Sequence, residues 1–327
     1  MRHRPRRSPR LLLLPAAVGA AVLTAACGGG SSQSTPDANG MTTIRVGYAL
    51  TDSVPILLGV QEGIFERHGL EVELQESNPS DLVGALISKQ LDFGPNIGPS
   101  FVLAAGKDVP VVAVEGVTTF NKGAEGSSGS LLLVEKGSAV ESAADLDGKT
   151  IAVNFLGSAS EFGVRSLIDA DGGDGADATI VEVPVASMGD TLLRGDVDAA
   201  QVAEPFASQL MATGDFEAPL GDPIEQVFGD SPRLVYTTLD TYAAENAETV
   251  EKFQAAVEES VQLAEEQPDL LHDIYVEYFS TTPEQAEAQA LNEFSTDLDA
   301  DSFAGIVDVL VEYGALESPI PSGDLVP

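Results

Sequence analysis

The sequence predicts a mixed α/β fold that closes in a helical C-terminal region. Three observations point there. Short β-rich runs alternate with helical runs from residue 42 to about residue 205. The first of these reads as a complete β-α-β unit, which implies parallel strands. Beyond Thr241 the apolar spacing turns helical and stays so.

The elements follow in order. TIRVGYAL (43–50) is β-rich, with Ile44, Val46 and Tyr48 alternating. Thr51, Asp52 and Ser53 precede a helix that Pro55 opens and that runs to about His68, with Ser53 as its cap. Ile56, Leu57, Val60, Ile64 and Phe65 give it an apolar stripe, Gly69 ends it, and LEVEL (70–74) is the second strand. A helix over 81–90, a short strand and turn at 91–94 and a helix over 99–106 come next, then a buried strand, VPVVAVEGV (109–117). NKGAEGSSGS (121–130) is a polar loop. Strands are expected at 131–136, 150–155 and 179–185, helices from 157 to about 170 and over 187–194, and a strand running into a turn at 198–205. The tail reads as one long helix over 241–266, with Val250, Phe253, Val257, Val261 and Ala264 on one face, then helices from Pro268, from Pro283 and over 299–316.

With 327 residues the chain has room for two domains. It carries 16 bases against 52 acids. All five arginines before residue 12 fall in a leader, and without them 11 bases face the same 52 acids. Such a surface cannot clasp a phosphate backbone, so nucleic acid is excluded as a partner, and so is adsorption of a protein face to an anionic membrane. An apolar fraction of 43% is too high for a disordered acidic chain.

MRHRPRRSPR (1–10) is basic and LLLLPAAVGAAVLTAA (11–26) is apolar and small, the layout of a secretory signal over residues 1–26. Sixteen apolar residues interrupted by Pro15 are short for a membrane span. Cys27, the single cysteine, follows directly and precedes a linker of Gly and Ser over 27–41. A buried residue, a free thiol and a lipid attachment site are the three readings. Its position favours lipidation, because the segment resembles a bacterial lipobox, with Leu23 one place further back than the pattern prefers and Thr24 in its stead. Arg6-Arg7 raises a twin-arginine route, though Pro9 and Arg10 stand where an apolar residue belongs.

Four blocks stand in order: IRVGY…GVQEGIFERHGLEVEL, GALISKQLDFGPNIGPSFVLAAGKDVPVVAV, ADLDGKTIAVNFLGSASEFGVRSLI and LLRGDVDAAQVAEPFASQL. Together they resemble the substrate-binding proteins of ABC importers, in the group serving nitrate, alkanesulfonates, taurine and thiamine-pyrimidine precursors. The resemblance covers nearly the whole mature chain. It implies a two-lobed type II periplasmic-binding fold with two crossover hinge strands, near Leu131–Lys136 and Leu234–Leu239. Lobe 1 is then 42–131 plus 238–327 and lobe 2 is 132–237. A monomer is expected that captures a small-molecule solute and hands it to an ABC permease and its ATPase, touching the membrane only through its lipid.

Ligands in α/β sheets bind beyond the C-terminal ends of strands, where helix amides converge. The candidate loops are 50–53 with Asp52 and Ser53, 94–98 with Asn96, 155–159 with Gly157, Ser158 and Ala159, and 203–205 with Glu204. The third is sharpest: a glycine permits close approach and Ser158 adds a hydroxyl, a setting for an anionic or strongly polar ligand end. Competing readings are plain caps for Asp52, Ser53 and Ser158, a turn for Asn96 and a solvated acid for Glu204. In many relatives an aromatic precedes this Glu-Pro, where this chain has Ala203. Thr118 and Thr119 end a strand and can face the cleft. Tyr48 is a candidate aromatic wall with Phe93, Phe120 and Phe155, although strand aromatics are more often core. Lys122 and Arg165 are the bases nearest these loops in sequence, and a surface place is expected for Arg165.

Catalytic chemistry finds little support. His68 and His272 sit on expected helices, and GSSGS (126–130) is not a nucleophile elbow. DADGGDGAD (169–177) imitates part of a calcium loop, yet its spacing fails at Gly173 and a solvated loop is expected, with no metal and no cofactor. The pyrimidine-synthesising branch of the resembling fold uses a histidine and cysteine set that this chain lacks. The expectation is a receptor and not an enzyme. A secreted enzyme or a ligand-sensing lipoprotein on the same scaffold are the alternatives.

Overall fold

Ile44 and Val46, both fully buried, anchor the first strand, β1 (Thr42–Tyr48), in an apolar core. The computed structural model describes residues 36–37, 39–49, 51–77, 81–120, 129–204, 206–279, 281–287, 293–299 and 301–327. The leader, Cys27, most of the linker, Leu50, Lys122 and Pro205 lie outside the described residues.

After β1 the chain runs through α1 (Val54–Gln61) and α2 (Ile64–Arg67) into β2 (Leu70–Glu76), which pairs parallel with β1 as the β-α-β reading requires. The single helix expected over 55–68 is two, because Gly63 sits at φ 68°, a left-handed conformation that breaks the helical path and suits glycine. Next come α3 (Leu82–Ile87), β3 (Gly94–Ile97), α4 (Gly98–Ala105) and β4 (Val111–Thr119). A parallel bridge between Val46 and Phe93 joins β1 to the start of β3.

The second half of the fold begins with β5 (Ser130–Glu135), β6 (Thr150–Val153), α5 (Ala159–Ala170), β7 (Thr179–Glu182), α6 (Val185–Leu193) and β8 (Ala199–Ala203). Then follow α7 (Phe206–Thr213), β9 (Phe216–Glu217) and α8 (Pro223–Phe228). Its sheet has the order β7-β6-β8-β5-β9, with β6 parallel to β7 and β8, and β5 antiparallel to β8 and β9. Period-two alternation buries both faces. Leu132 and Val134 of β5 pack with Val164 and Ile168 of α5, while Leu133 packs on the other side with Met188 and Leu192 of α6.

The chain then returns. β10 (Pro232–Leu239) inserts antiparallel between β3 and β4, and β11 (Glu293–Phe294) completes the order β11-β4-β10-β3. The two segments expected to carry the chain across, 131–136 and 234–239, lie in the strands that follow each passage: β5 inside the five-stranded sheet and β10 inside the four-stranded one. The helical tail is α9 (Asp240–Glu245), α10 (Ala247–Glu266), α11 (Leu270–Phe279), α12 (Pro283–Glu287) and α13 (Ala304–Glu312). The expected continuous helix over 241–266 is thus broken at Asn246. Its backbone N–H still makes the helical bond to Tyr242 O at 2.9 Å, but its φ of −129° and ψ of 40° leave the helical region, and its buried side-chain amide donates to the same carbonyl at 3.0 Å. The apolar face of α10 lies where its spacing placed it, with the Phe253 ring stacked on Phe93 at 3.9 Å between centroids.

The architecture is the two-lobed α/β arrangement: the two-stranded β1-β2 sheet and the four-stranded sheet build the first lobe, with the helical tail on it, and the five-stranded sheet builds the second. The lobes touch through aromatics: Phe120 on Phe228 at 5.7 Å, and Phe162 of α5 on Tyr313, just past α13, at 6.4 Å. No helix among the described residues is long and apolar enough to cross a membrane.

Candidate ligand site

Where the two lobes adjoin, the structure gathers polar side chains around Arg233 of β10. Its Nε donates to Asp52 Oδ1 at 3.0 Å and its Nη1 to Glu225 of α8, while its guanidinium carbon lies 5.4 Å from the Phe120 ring centre. Asp52 comes from the loop after β1 and Glu225 from the second half of the fold, so one cation ties together two distant stretches of chain. Burial alone would lower the Arg233 pKa, but the charges of Asp52, Glu225 and Asp222 hold it above its ordinary value. Thr118 Oγ1 donates to Asp52 Oδ1 at 3.2 Å and accepts from Leu234 N at 3.2 Å. Beside this lies Asp222, whose Oδ2 accepts from Ser130 Oγ at 2.8 Å and whose Oδ1 accepts from Ile224 N at 2.9 Å and Gln201 Nε2 at 3.2 Å. Burial pushes Asp222 up to about 6 despite the opposing Ser130 hydrogen bond. Gly129 is packed so tightly that an added Cβ would lie 2.2 Å from Arg233 Nη2.

Sequence reasoning found Asp52 and Thr118 in this group and missed Arg233, Glu225, Asp222, Ser130 and Gln201. The missing partners are remote in sequence: Arg233 is 181 positions from Asp52. The signal available was the scarcity of bases, since each of the few in so acidic a chain has many acids competing to pair with it.

The remaining candidates disperse. Ser53 is fully buried at the start of α1 and makes no side-chain cap. Asn96 is not in a turn but in β3, where its Nδ2 donates to Thr237 Oγ1 at 2.6 Å across to β10. Thr119 lies at the end of β4, opposite Pro232 and Glu293. Tyr48 packs edge-on against Tyr278 and Phe279 of the helical tail. Burial, with Glu76 and Tyr278 adding to it, raises its pKa. Glu204 accepts from Ser208 N at 3.1 Å and Ser208 Oγ at 2.8 Å, so its carboxylate caps the start of α7. Phe93 and Phe120 are core, but Phe155 is 48% exposed, against the preference for burying strand aromatics; β6 ends at Val153 and leaves Phe155 on the loop. Arg165 is not a surface residue: its side chain is 17% exposed, pairs with Glu161 at 3.0 Å and donates to Ala178 O at 3.2 Å and to Gly175 O, holding the 175–178 loop onto α5.

The loop after β6 folds as a self-contained cap. Gly157 adopts φ +74°, and Ser158 is the N-cap of α5, accepting from Glu161 N at 3.4 Å. Gly157 N donates to Glu161 Oε2 at 2.9 Å. Ala159 is the first residue of the helix. The DADGGDGAD loop is likewise bonded internally: Asp169 accepts from Gly175 N at 2.7 Å, and the Tyr313 hydroxyl donates to it. No cluster of metal-binding side chains occurs among the described residues.

Comparison with known proteins supplies the context. A family model described as NMT1/THI5 like matches residues 50–270. A Brucella abortus protein named as a binding protein is 24% identical over 319 residues, covering 86% of this chain and 93% of its own. The 4-amino-5-hydroxymethyl-2-methylpyrimidine phosphate synthase of Aspergillus parasiticus is 25% identical over 244 residues, covering 70% of this chain and 68% of its own. Among solved structures, the periplasmic aliphatic sulphonate binding protein of Escherichia coli superposes with a TM-score of 0.71 at 16% identity, covering 87% of this chain and 92% of that one. The ligand-binding component of an ABC-type import system from Staphylococcus aureus gives 0.65 at 16% identity, covering 87% and 96%. The fold is that of periplasmic solute-binding proteins.

Proposed function

Because the chain belongs to the NMT1/THI5-like family, we propose that it is an extracytoplasmic solute-binding lipoprotein of an ABC importer. It captures a small polar molecule between its lobes and delivers it, unchanged, to a permease and its ATPase. The observation that carries this reading is the convergence of Asp52, Thr118, Arg233 and Glu225 where the lobes adjoin. Polar groups drawn from both halves of a hinged protein are what a closing cleft needs. The relatives bring two ligand chemistries to test, sulfonate and aminopyrimidine.

In this reading Cys27 carries the lipid, 1–26 is removed on export and 27–41 spaces the lobes from the membrane. The lobe bounds expected at 131/132 and 237/238 move towards the N-terminus with the strands, so that lobe 1 is 42–129 plus 232–327 and lobe 2 is 130–231, and the protein acts as a monomer. The relationship to the Aspergillus synthase favours a second reading, an enzyme on this scaffold. The His68–Glu259 pair, at 2.8 Å, shares no hydrogen bond with the group around Arg233, which leaves that group without a histidine base among its partners in the described residues.

Native mass spectrometry after incubation with a small-molecule extract of the growth medium tests the proposal. Retention of one molecule at its original mass supports a receptor. A molecule released at a changed mass supports the enzyme, and retention of nothing overturns the receptor. Radiolabelled palmitate incorporated by wild type and absent from Cys27→Ser checks the anchor.

A further inference from the structure

The start of α5 is where an anion would be expected to sit in the second lobe, and the protein has filled that seat itself. Phe155 N donates to Asn154 Oδ1 at 3.1 Å, Leu156 N to Glu182 Oε2 at 3.4 Å, Gly157 N to Glu161 Oε2 at 2.9 Å and Glu161 N to Ser158 Oγ at 3.4 Å. Two of these acceptors are carboxylates, so an approaching anion would meet like charge instead of free amides. Arg165 balances Glu161 through their 3.0 Å ion pair and, held there and by the carbonyls of Gly175 and Ala178, has its Nε and Nη1 already engaged, while Glu182 makes no ion pair among the described residues.

The same rim presents apolar surface. Phe155 and Leu156 are 48% and 54% exposed just past β6, and Phe206 is 38% exposed just past β8. β6 and β8 are adjacent and parallel, so both loops leave the sheet at the same end, the end at which open α/β sheets hold their ligands. These three residues are half of the six large hydrophobics that stand exposed among the described residues.

We propose that this loop pair sets the specificity of the receptor: Glu161, by occupying the loop amide and holding Arg165, and Glu182, by its charge, exclude anions, and the solute is an uncharged or cationic molecule whose apolar face lies on Phe155 and Leu156. The proposal rests on the receptor reading above. It separates this chain from sulfonate binders that share its fold.

The chain has no tryptophan, so Phe155→Trp places a single fluorescent reporter in the loop. It is titrated with three probes that share one ring: benzylamine, benzyl alcohol and phenylmethanesulfonate. Saturable responses to the amine or the alcohol and none to the sulfonate are expected. A sulfonate response as strong as that to the amine overturns the proposal, and so does silence toward all three. Adding Glu161→Ala frees Gly157 N–H and releases Arg165, and should tighten the sulfonate by roughly tenfold or more, the scale of one nearby charge. If Glu161→Ala does not fold, the pair Glu161→Gln and Glu182→Gln removes the charges while keeping the caps, and the same gain is expected. No gain in a folded variant overturns the proposal. Retention of an anionic solute in the native mass spectrum would sink this inference and leave the receptor standing, whereas retention of nothing strikes the receptor itself.

Discussion

Glu115 offers a quantitative test of how the first lobe is built. It lies in the middle of β4, 4% exposed, and its Oε1 accepts from its neighbour Gly116 N, at 3.1 Å. The charged groups facing it are both acidic, Glu258 of α10 and Asp297. Burial, reinforced by those two charges, pushes its pKa from 4.5 up to about 8. The folded value lies above the unfolded one, so the folded state holds the proton more tightly. Stability attributable to this proton is therefore full below about pH 4.5 and is lost as pH rises towards 8. At 1.36 kcal/mol per unit, the loss at pH 7 is about 3 kcal/mol. Glu115→Gln keeps an acceptor for Gly116 N and cannot ionise. It should match wild type at pH 4.5 and melt roughly 6–12 °C higher at pH 7, given the usual 2–4 °C per kcal/mol in large domains. Calorimetry of both proteins at half-unit steps from pH 4 to 8 measures this. Working with the difference cancels other titrations, including that of Asp222, which acts in the same direction up to about pH 6. A Tm difference that does not change across this range, or one that grows towards acid, would refute the reasoning.

Two further substitutions probe the packing and the buried charges. Arg233→Met removes the cation that pairs with buried Asp52 and Glu225, a change that costs about 3–5 kcal/mol in comparable sites and should appear as a lower urea midpoint. Restoration of the midpoint by the triple change with Asp52→Asn and Glu225→Gln is expected, and a failure to restore it would locate the cost elsewhere. Gly59 of α1 sits against α10 so closely that an added Cβ would lie 1.8 Å from Ser260 Oγ, so Gly59→Val should cost about 1–3 kcal/mol by overpacking and an unchanged melting curve would contradict that contact.

Much of the fold was legible because it is written in local periodicity. The first strand, expected over 43–50 and found at 42–48, and the apolar face of α10 follow from spacings of two or of three to four residues, while Ser158, offered as a ligand residue, takes the competing role of a cap. What could not be read was set by groups far apart in the chain. Segment 206–231 yielded no elements from sequence: α7 buries only Ala207 and so shows no apolar stripe, α8 is short, and β9 has two residues, which pair with Glu135 and Val134. Phe155 is an aromatic in a strand-like run, yet the strand stops two residues earlier and strands the ring outside the core. Asn246 stopped a helix that its neighbours would have continued. In the candidate site the hydroxyl of Ser158 was visible, but the carboxylate that takes the neighbouring amide was not, because a side chain at i+4 can either cap its own loop or point away.

The place of β10 has a consequence for how the molecule comes into being. It threads between β3 and β4, yet residues 130–217, which build the whole five-stranded sheet, are made before it. A growing chain can therefore assemble the later sheet from consecutive segments while the earlier one stays incomplete, its two strands waiting for a third. Closing that gap across such a long interval is entropically slow. The rate of maturation should thus be governed by the arrival of eight residues at 232–239, and a chain that ends before them would display unpaired strand edges attractive to aggregation.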